Sequence, residues 1–247
     1  MSTDPVFWLL AIIAAVTVGA SKGGLPIVGM LAVPILALKM NAVAAAGLLL
    51  PIYIISDAFG LVAYRRAFSL PNLKILIPAT TIGVLLGYLT ANVTSERLVT
   101  ALIGAIGLIF ALNLLIRRDT VETTKPDWPK GLFWGTLTGF TSFISHAGAP
   151  PYQVFVQNQR LDKLVYAGTS TILFAYVNAI KLPAYWALGQ VNFGSLKITA
   201  FLALPAVVSV YLGLRLVKII PQELFYKLIT WALLLVSLRL LWQAWVG

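Results

Sequence analysis

The sequence has 247 residues, of which 60% are hydrophobic and 11% charged, with a formal net charge of +10 and no cysteine. Average soluble domains carry about 25% charged residues, so this composition argues against a soluble enzyme, a free nucleic-acid binder or a disordered chain. Disulfides, thiolate metal sites and a cysteine nucleophile are excluded, and a single histidine leaves no His-rich metal centre.

Apolar windows of about 20 residues recur along the whole length, each long enough to cross a hydrocarbon core of roughly 30 Å. The expectation is an all-α polytopic membrane protein forming one domain over 1–247. The positive charge then reflects basic cytoplasmic loops. Met1 to Pro5 is short and acidic, with no basic n-region, so the first apolar run reads as a retained segment. It runs from Pro5 to Ala20, breaks at Ser21-Lys22-Gly23-Gly24-Leu25-Pro26 and resumes from Ile27 to Leu38. As one helix it would reach about 50 Å, so two short helices meeting at the break fit better. Three helices are expected next, at 42–64, 71–92 and 97–116.

The one clearly hydrophilic segment is Arg117 to Lys130. The pattern then repeats. Gly131 to Ser145 is apolar, breaks at His146-Ala147-Gly148-Ala149-Pro150-Pro151, and continues in the more polar Tyr152 to Leu161. Helices follow at 164–184, 194–214 and 222–245. Aligning SKGGLP with SHAGAP pairs Lys22 with His146, Gly24 with Gly148 and Pro26 with Pro150. With small gaps, Asp57 falls opposite Asn178 and Tyr64 opposite Tyr185. This order points to a duplication: repeat one at 5–116, a loop at 117–130 and repeat two at 131–245.

Basic residues orient the halves. With Arg65-Arg66 in the cytoplasm and each broken segment a re-entrant hairpin, each half crosses three times. The second half is then inverted, and Arg160, Lys163, Arg215 and Lys218 become cytoplasmic. A single crossing per broken segment would put them outside, against the rule. Two complete crossings per broken segment would keep the same parity. The expected architecture is therefore two inverted repeats, each a broken or re-entrant helix pair plus three transmembrane helices. The basic loops lie inside a bacterial-type cytoplasmic (inner) membrane, and both termini lie outside.

A helix interrupted within the membrane leaves backbone groups unpaired, which survive only inside protein or beside a wet cavity. Paired discontinuous helices near the midplane are a recurrent substrate-site design in secondary transporters. The chemistry here favours an anion. Pro26 and Pro150 suit the first turn of a new helix, and the small residues before them would expose amides at its positive end. Lys22 adds a full charge and His146 a titratable one. Substrate contacts are expected from Ser21, Lys22, Gly23, Gly24, Ser145, His146, Ala147, Gly148, Gln153 and Asn178. Asp57, an intramembrane carboxylate, is a functional candidate by default; it is a candidate for an ion pair with Lys22 or for proton coupling, and His146 is a second candidate for proton coupling or an ion pair. The competing readings are a packing kink, a snorkelling Lys22 and an Asp57 clamp between helices. Lys181 reads as a snorkelling anchor near a membrane end. No HExxH, GxSxG or GxxxxGK[ST] motif is present, so no enzyme, metal or cofactor is expected.

The runs GASKGGLPIVGMLAVPILAL (19–38), GFTSFISHAGAPPYQVFVQNQRLDK (139–163) and YAGTSTILFAYVNAIKLPAYWALGQ (166–190) resemble those of the sulfite exporter TauE/SafE family, also called the toluene-sulfonate uptake permease family. The resemblance covers nearly the whole chain. It implies membrane transport of sulfite, sulfoacetate or related organosulfonates, with export as the expected direction. Leu25 and Pro26 stand where many members continue with glycine or an aromatic residue. Expected partners are a small anionic substrate, the lipid bilayer and a second copy as a homodimer, with no nucleic acid. The rival functions are a passive anion channel and a membrane assembly factor without transport.

Overall fold

The computed structural model describes residues 4–40, 42–91, 93–116, 124–189 and 196–246. Helix α1 spans Pro5–Lys22. Asp4 caps it by accepting from the Val6 amide at 2.9 Å, and Pro5 fills a position whose N–H would lack a partner anyway. The helix stops at Gly23-Gly24. Gly24 takes φ +115°, and the Leu25 amide donates to the Ala20 carbonyl at 3.2 Å, a glycine stop of the Schellman type. A 3₁₀ turn over Pro26–Leu31 and the short α2, Ala32–Ala37, then run back alongside α1. Lys39 Nζ ends 3.0 Å from Asp4 Oδ2, so the two ends of the first broken segment meet. The hydrogen bond with Lys39 holds the Asp4 carboxyl below its usual range.

Helices α3 (Ala42–Tyr64), α4 (Leu70–Thr90) and α5 (Glu96–Ile116) follow. The second broken segment begins with α6, Trp128–Ser145, capped by Asp127 through the Lys130 amide at 2.9 Å. His146 ends it in the left-handed region at φ 53°. Helix α7, Ala149–Val156, and a 3₁₀ turn over Gln157–Gln159 form the return arm. The Thr124 amide donates to the Asn158 carbonyl at 3.2 Å, so this hairpin also closes on itself. Helices α8 (Lys163–Ala187), α9 (Leu196–Ile219) and α10 (Gln222–Val246) complete the chain.

No strand occurs among the described residues. The chain is an all-helical, multi-pass membrane protein. Expected and observed helix bounds agree to within a few residues, but the spanning set differs. Among the described residues six helices are long and apolar enough to cross a membrane: α1, α3, α4, α5, α9 and α10. Helix α1 joins the set although it is one arm of a hairpin. Helix α8 falls outside it, although its 25 residues reach about 37 Å. The physical reason is its composition, which is too polar. Thr169, Ser170, Thr171, Asn178 and Lys181 on α8 are buried, so protein rather than lipid covers its polar face. Residues 117–123 of the hydrophilic segment and residues 190–195 between α8 and α9 lie outside the described residues.

Packing exchanges the halves. α1 runs along α9, α6 along α4, α3 against α8 and α5 against α10. Small residues allow the close crossings, as in other membrane bundles. A Cβ built on Gly19 would overlap the Ala206 carbonyl on α9. One on Gly83 would overlap the Thr136 carbonyl on α6, and one on Gly139 the Thr80 carbonyl on α4. Facing outward, Leu89, Ile109 and Leu204 are apolar and exposed, as lipid contact requires.

Gly83→Val should therefore force α4 away from α6. The expected cost is about 2–3 kcal/mol, or a fall of roughly 5–10 °C in Tm, read by thermal unfolding in detergent. Leu89→Val, on the lipid-facing side, should leave Tm unchanged. An unaltered Tm for Gly83→Val would contradict the crossing geometry.

Candidate functional site

The two hairpin tips and the middle of α3 and α8 converge on a cavity of about 40 Å³. Its polar lining comprises Ser21, Lys22, Tyr53, Ser142, His146, Ser170, Thr171, Asn178 and Lys181. Each element contributes for a local reason. Lys22 is the last residue of α1, where a cation opposes the negative helix end. Tyr53 lies four residues before Asp57 on α3, and Asn178 lies three before Lys181 on α8, so each pair shares one helix face.

The electrostatic centre is an ion pair. Lys22 Nζ lies 2.8 Å from Asp57 Oδ1, with both side chains almost wholly enclosed. The Asn178 amide donates to Asp57 Oδ2 at 2.8 Å. Asp57 and Asn178, which the sequence alignment of the two segments sets opposite each other, therefore touch across α3 and α8. The Lys22 ammonium also sits over the Tyr53 ring at 5.2 Å and the Phe174 ring at 5.8 Å, within cation–π range. Lys22 does not snorkel; it is 3% exposed.

A second cation faces the same cavity. Lys181 is 0% exposed, and Nζ donates to the Ser142 carbonyl at 3.0 Å and approaches Ser142 Oγ at 3.3 Å. No carboxylate lies within ion-pair distance of it among the described residues. The reading of Lys181 as a snorkelling anchor is thus corrected. Its position one turn after Asn178 carried the signal: both point to the face that meets the second hairpin. Tyr53, Ser142, Ser170 and Thr171 were likewise absent from the sequence reading, because hydroxyls in membrane helices bond to their own backbone as a rule. Ser170 does donate to the Ala167 carbonyl at 2.9 Å.

His146 sits at the second tip. Tyr185 lies 3.0 Å from His146 Nε2 and donates to the Phe143 carbonyl at 3.0 Å, while the Tyr53 ring stacks on the imidazole at 6.0 Å. At the first tip, Tyr64 donates to the Gly23 carbonyl at 2.6 Å. The paired tyrosines thus pin the paired hairpins.

Several expected contacts serve other purposes. The amides of Gly23, Gly24 and Leu25 donate back to the carbonyls of Gly19, Ser21 and Ala20, so the first tip offers no cradle of free amides. Gly23 is pressed against Val210 and Gly213 on α9, and Gly24 against Tyr64 and Ala167. Gly148 backs onto Ser142 and Phe174. Ser145 and Ala147 line a separate small cavity beside Met30 and Leu240, and Ser145 Oγ donates to the Thr141 carbonyl at 3.3 Å. Ser21 reaches the main cavity, with its hydroxyl donating to the Val18 carbonyl at 2.6 Å. Gln153 is fully buried one turn away from the cavity. The expected site thus divides: Ser21, Lys22, His146, Asn178 and the ion-pair residue Asp57 gather at the cavity, and Gly23, Gly24, Ser145, Ala147, Gly148 and Gln153 lie around it. Among the described residues no cluster of His, Asp and Glu fits a metal ion.

Removing one partner of a buried ion pair strands the other. Lys22→Met should cost about 3–5 kcal/mol, read as a lower Tm in detergent, and Lys22→Met with Asp57→Asn should recover most of it. A double variant no more stable than the single one would contradict the pairing. The arrangement as a whole is a small cavity lined by two buried lysines, one of them paired with Asp57, where two interrupted helices meet in an otherwise apolar bundle. Among known proteins, the family model described as sulfite exporter TauE/SafE matches residues 8–240. No curated protein and no solved structure matches the chain. The match covers nearly the whole sequence and both hairpins, and the chain belongs to the sulfite exporter TauE/SafE family of membrane transporters.

Proposed function

We propose that this protein is a secondary transporter that exports sulfite or a similarly small sulfur oxyanion across a bacterial-type cytoplasmic membrane. The observation that carries this reading is charge balance in the cavity. Lys22 is neutralised by Asp57, whereas Lys181 has only neutral oxygen partners. A buried ammonium without a counter-charge is costly, and a bound oxyanion supplies one. Its oxygens would take hydrogen bonds from Lys181, with Asn178, Thr171 and Tyr53 beside them. The recognition in this reading rests on the Lys181 side chain rather than on an amide cradle.

Size supports the inorganic end of the substrate class. A water needs roughly 10–15 Å³ of such space, so a cavity of about 40 Å³ holds about three waters or one compact oxyanion. A longer organosulfonate fits by its head alone and would need the chamber to widen. Export needs no proton, because an inside-negative potential favours anion exit by about 2.3 kcal/mol per charge per 100 mV.

The mechanism we infer is alternating access by inverted repeats, repeat one at 5–116 and repeat two at 131–245, with the basic loops cytoplasmic. Three features support it. Both hairpins close on themselves, the halves exchange partners in packing, and Asp57 and Asn178 meet where a two-fold axis would pass. In such transporters one repeat rocks against the other around a fixed site. The ion pair, between α1 and α3 of the first repeat, keeps that half of the site as one body.

Counterflow in proteoliposomes tests the reading. Vesicles loaded with unlabelled sulfite should accumulate labelled sulfite saturably. Lys181→Gln, which removes a charge-assisted hydrogen bond of about 1.5–3 kcal/mol to the ligand, should lower that flux roughly 10- to 100-fold without lowering Tm, because it also removes a buried charge that lacks a counter-charge. Conductive flux without counterflow would assign a channel instead. Absence of any sulfite flux would refute the substrate class.

A further inference from the structure

We infer that the polar face of α7 is the passage by which the anion travels between the cavity and the end of the molecule that carries Arg160 and Lys227. The inference rests on the transport reading above and adds a route to it. Ala149, at the start of α7, lines the cavity. Gln157, two turns later, lines an open groove of about 490 Å³ together with Arg160, Glu223, Tyr226, Lys227 and Thr230. Gln153 lies between them on the same stripe, at the i, i+4, i+8 spacing that aligns side chains along one helix face. Cavity and groove are thus the two ends of one line of residues.

The line is unusual in its hydrogen bonding. Among the described residues nine buried side-chain N or O atoms have no hydrogen bond of regular geometry. Six of them belong to Gln153, Gln157, Asn158, Tyr166 and Ser237, all on the second return arm or against it. Both ends of the Gln153 amide are among the six, and that residue is 0% exposed. The Tyr166 hydroxyl lies within hydrogen-bonding reach of Gln153, which leaves the other end of that amide without a partner, and Gly107 sits between Ser237 and Pro150. Gln157 keeps one bond, from Nε2 to Thr230 Oγ1 at 2.7 Å, and leaves Oε1 free. Each unpaired buried polar group costs about 1–3 kcal/mol, and inside a membrane such groups persist beside a wet path. A packing arm would be apolar here.

The charge at the far end suits the cargo. Arg160 and Lys227 outnumber Glu223 at the groove, and a cationic mouth concentrates anions. Arg160 is held in the left-handed region at φ 49°, with its guanidinium over the Tyr226 ring at 5.2 Å. The opposite approach to the cavity passes His146, which is only partly buried, so the structure is shut at Gln153 and more open at His146. Movement of α7 would open the first side.

The chain contains no cysteine, so single cysteines report the route directly. In proteoliposomes, Gln153→Cys should react with a methanethiosulfonate reagent that carries a sulfonate at least about tenfold faster than with one that carries a quaternary ammonium. Leu233→Cys, in the apolar core of α10, should react with neither. Separately, Gln153→Leu should lower sulfite counterflow by about tenfold or more, equivalent to about 1.4 kcal/mol, with Tm unchanged. Inert Gln153→Cys, or normal flux through Gln153→Leu, overturns the route while leaving the transport reading intact. If the unsubstituted protein carries no sulfite, the transport reading fails and modification of Gln153→Cys alone decides the passage.

Discussion

The Lys22–Asp57 ion pair is the constraint around which the rest of the structure is arranged. Two charges 2.8 Å apart inside an apolar bundle are tolerated only when each also has good secondary partners. Asp57 finds one in Asn178, and Lys22 finds two aromatic faces. These needs fix where α1 must end and bring α3 against α8. The Thr171 hydroxyl on α8 then reaches the Lys22 carbonyl at 3.3 Å. The break after Lys22 follows from this: α1 ends beside the carboxylate it must meet, and Gly23-Gly24 turn the chain back.

That pairing also gives the site its chemistry. With Lys22 paired to Asp57, Lys181 is the lysine on which the proposed binding of an oxyanion rests. The division explains why two lysines serve a site that needs one. One lysine ties the first hairpin to the bundle through Asp57, and the other, on α8, bonds to Ser142 beside the second hairpin. The left-handed turn at His146, braced by Tyr185 and stacked on Tyr53, closes the chamber from the other hairpin. Structure and charge are therefore shared between two halves of similar design and different residues.

Much of the fold was legible in the sequence because the bilayer imposes one length scale and one hydropathy rule. Helix positions and the two breaks follow from pattern alone. What escaped follows from burial by protein rather than lipid. Lys181 read as an anchor because its neighbours in sequence are apolar, yet its neighbours in space are Ser142 and the cavity. The glycines of the first break read as an amide cradle, whereas the end of α1 consumes those amides in its own stop. Helix α8 read as an ordinary span, and its polarity turned out to be the wall of the site. Hydropathy reports what a residue prefers and is silent on which helix will cover it.

The account stands on a sulfur oxyanion seated against Lys181, and its position can be seen directly. Selenite is a close analogue of sulfite with strong anomalous scattering. Crystals of the protein soaked in selenite should show an anomalous peak inside the cavity, with an oxygen about 2.7–2.9 Å from Lys181 Nζ, and Lys181→Gln crystals should lose it. A cavity left empty while selenite binds elsewhere would contradict the account.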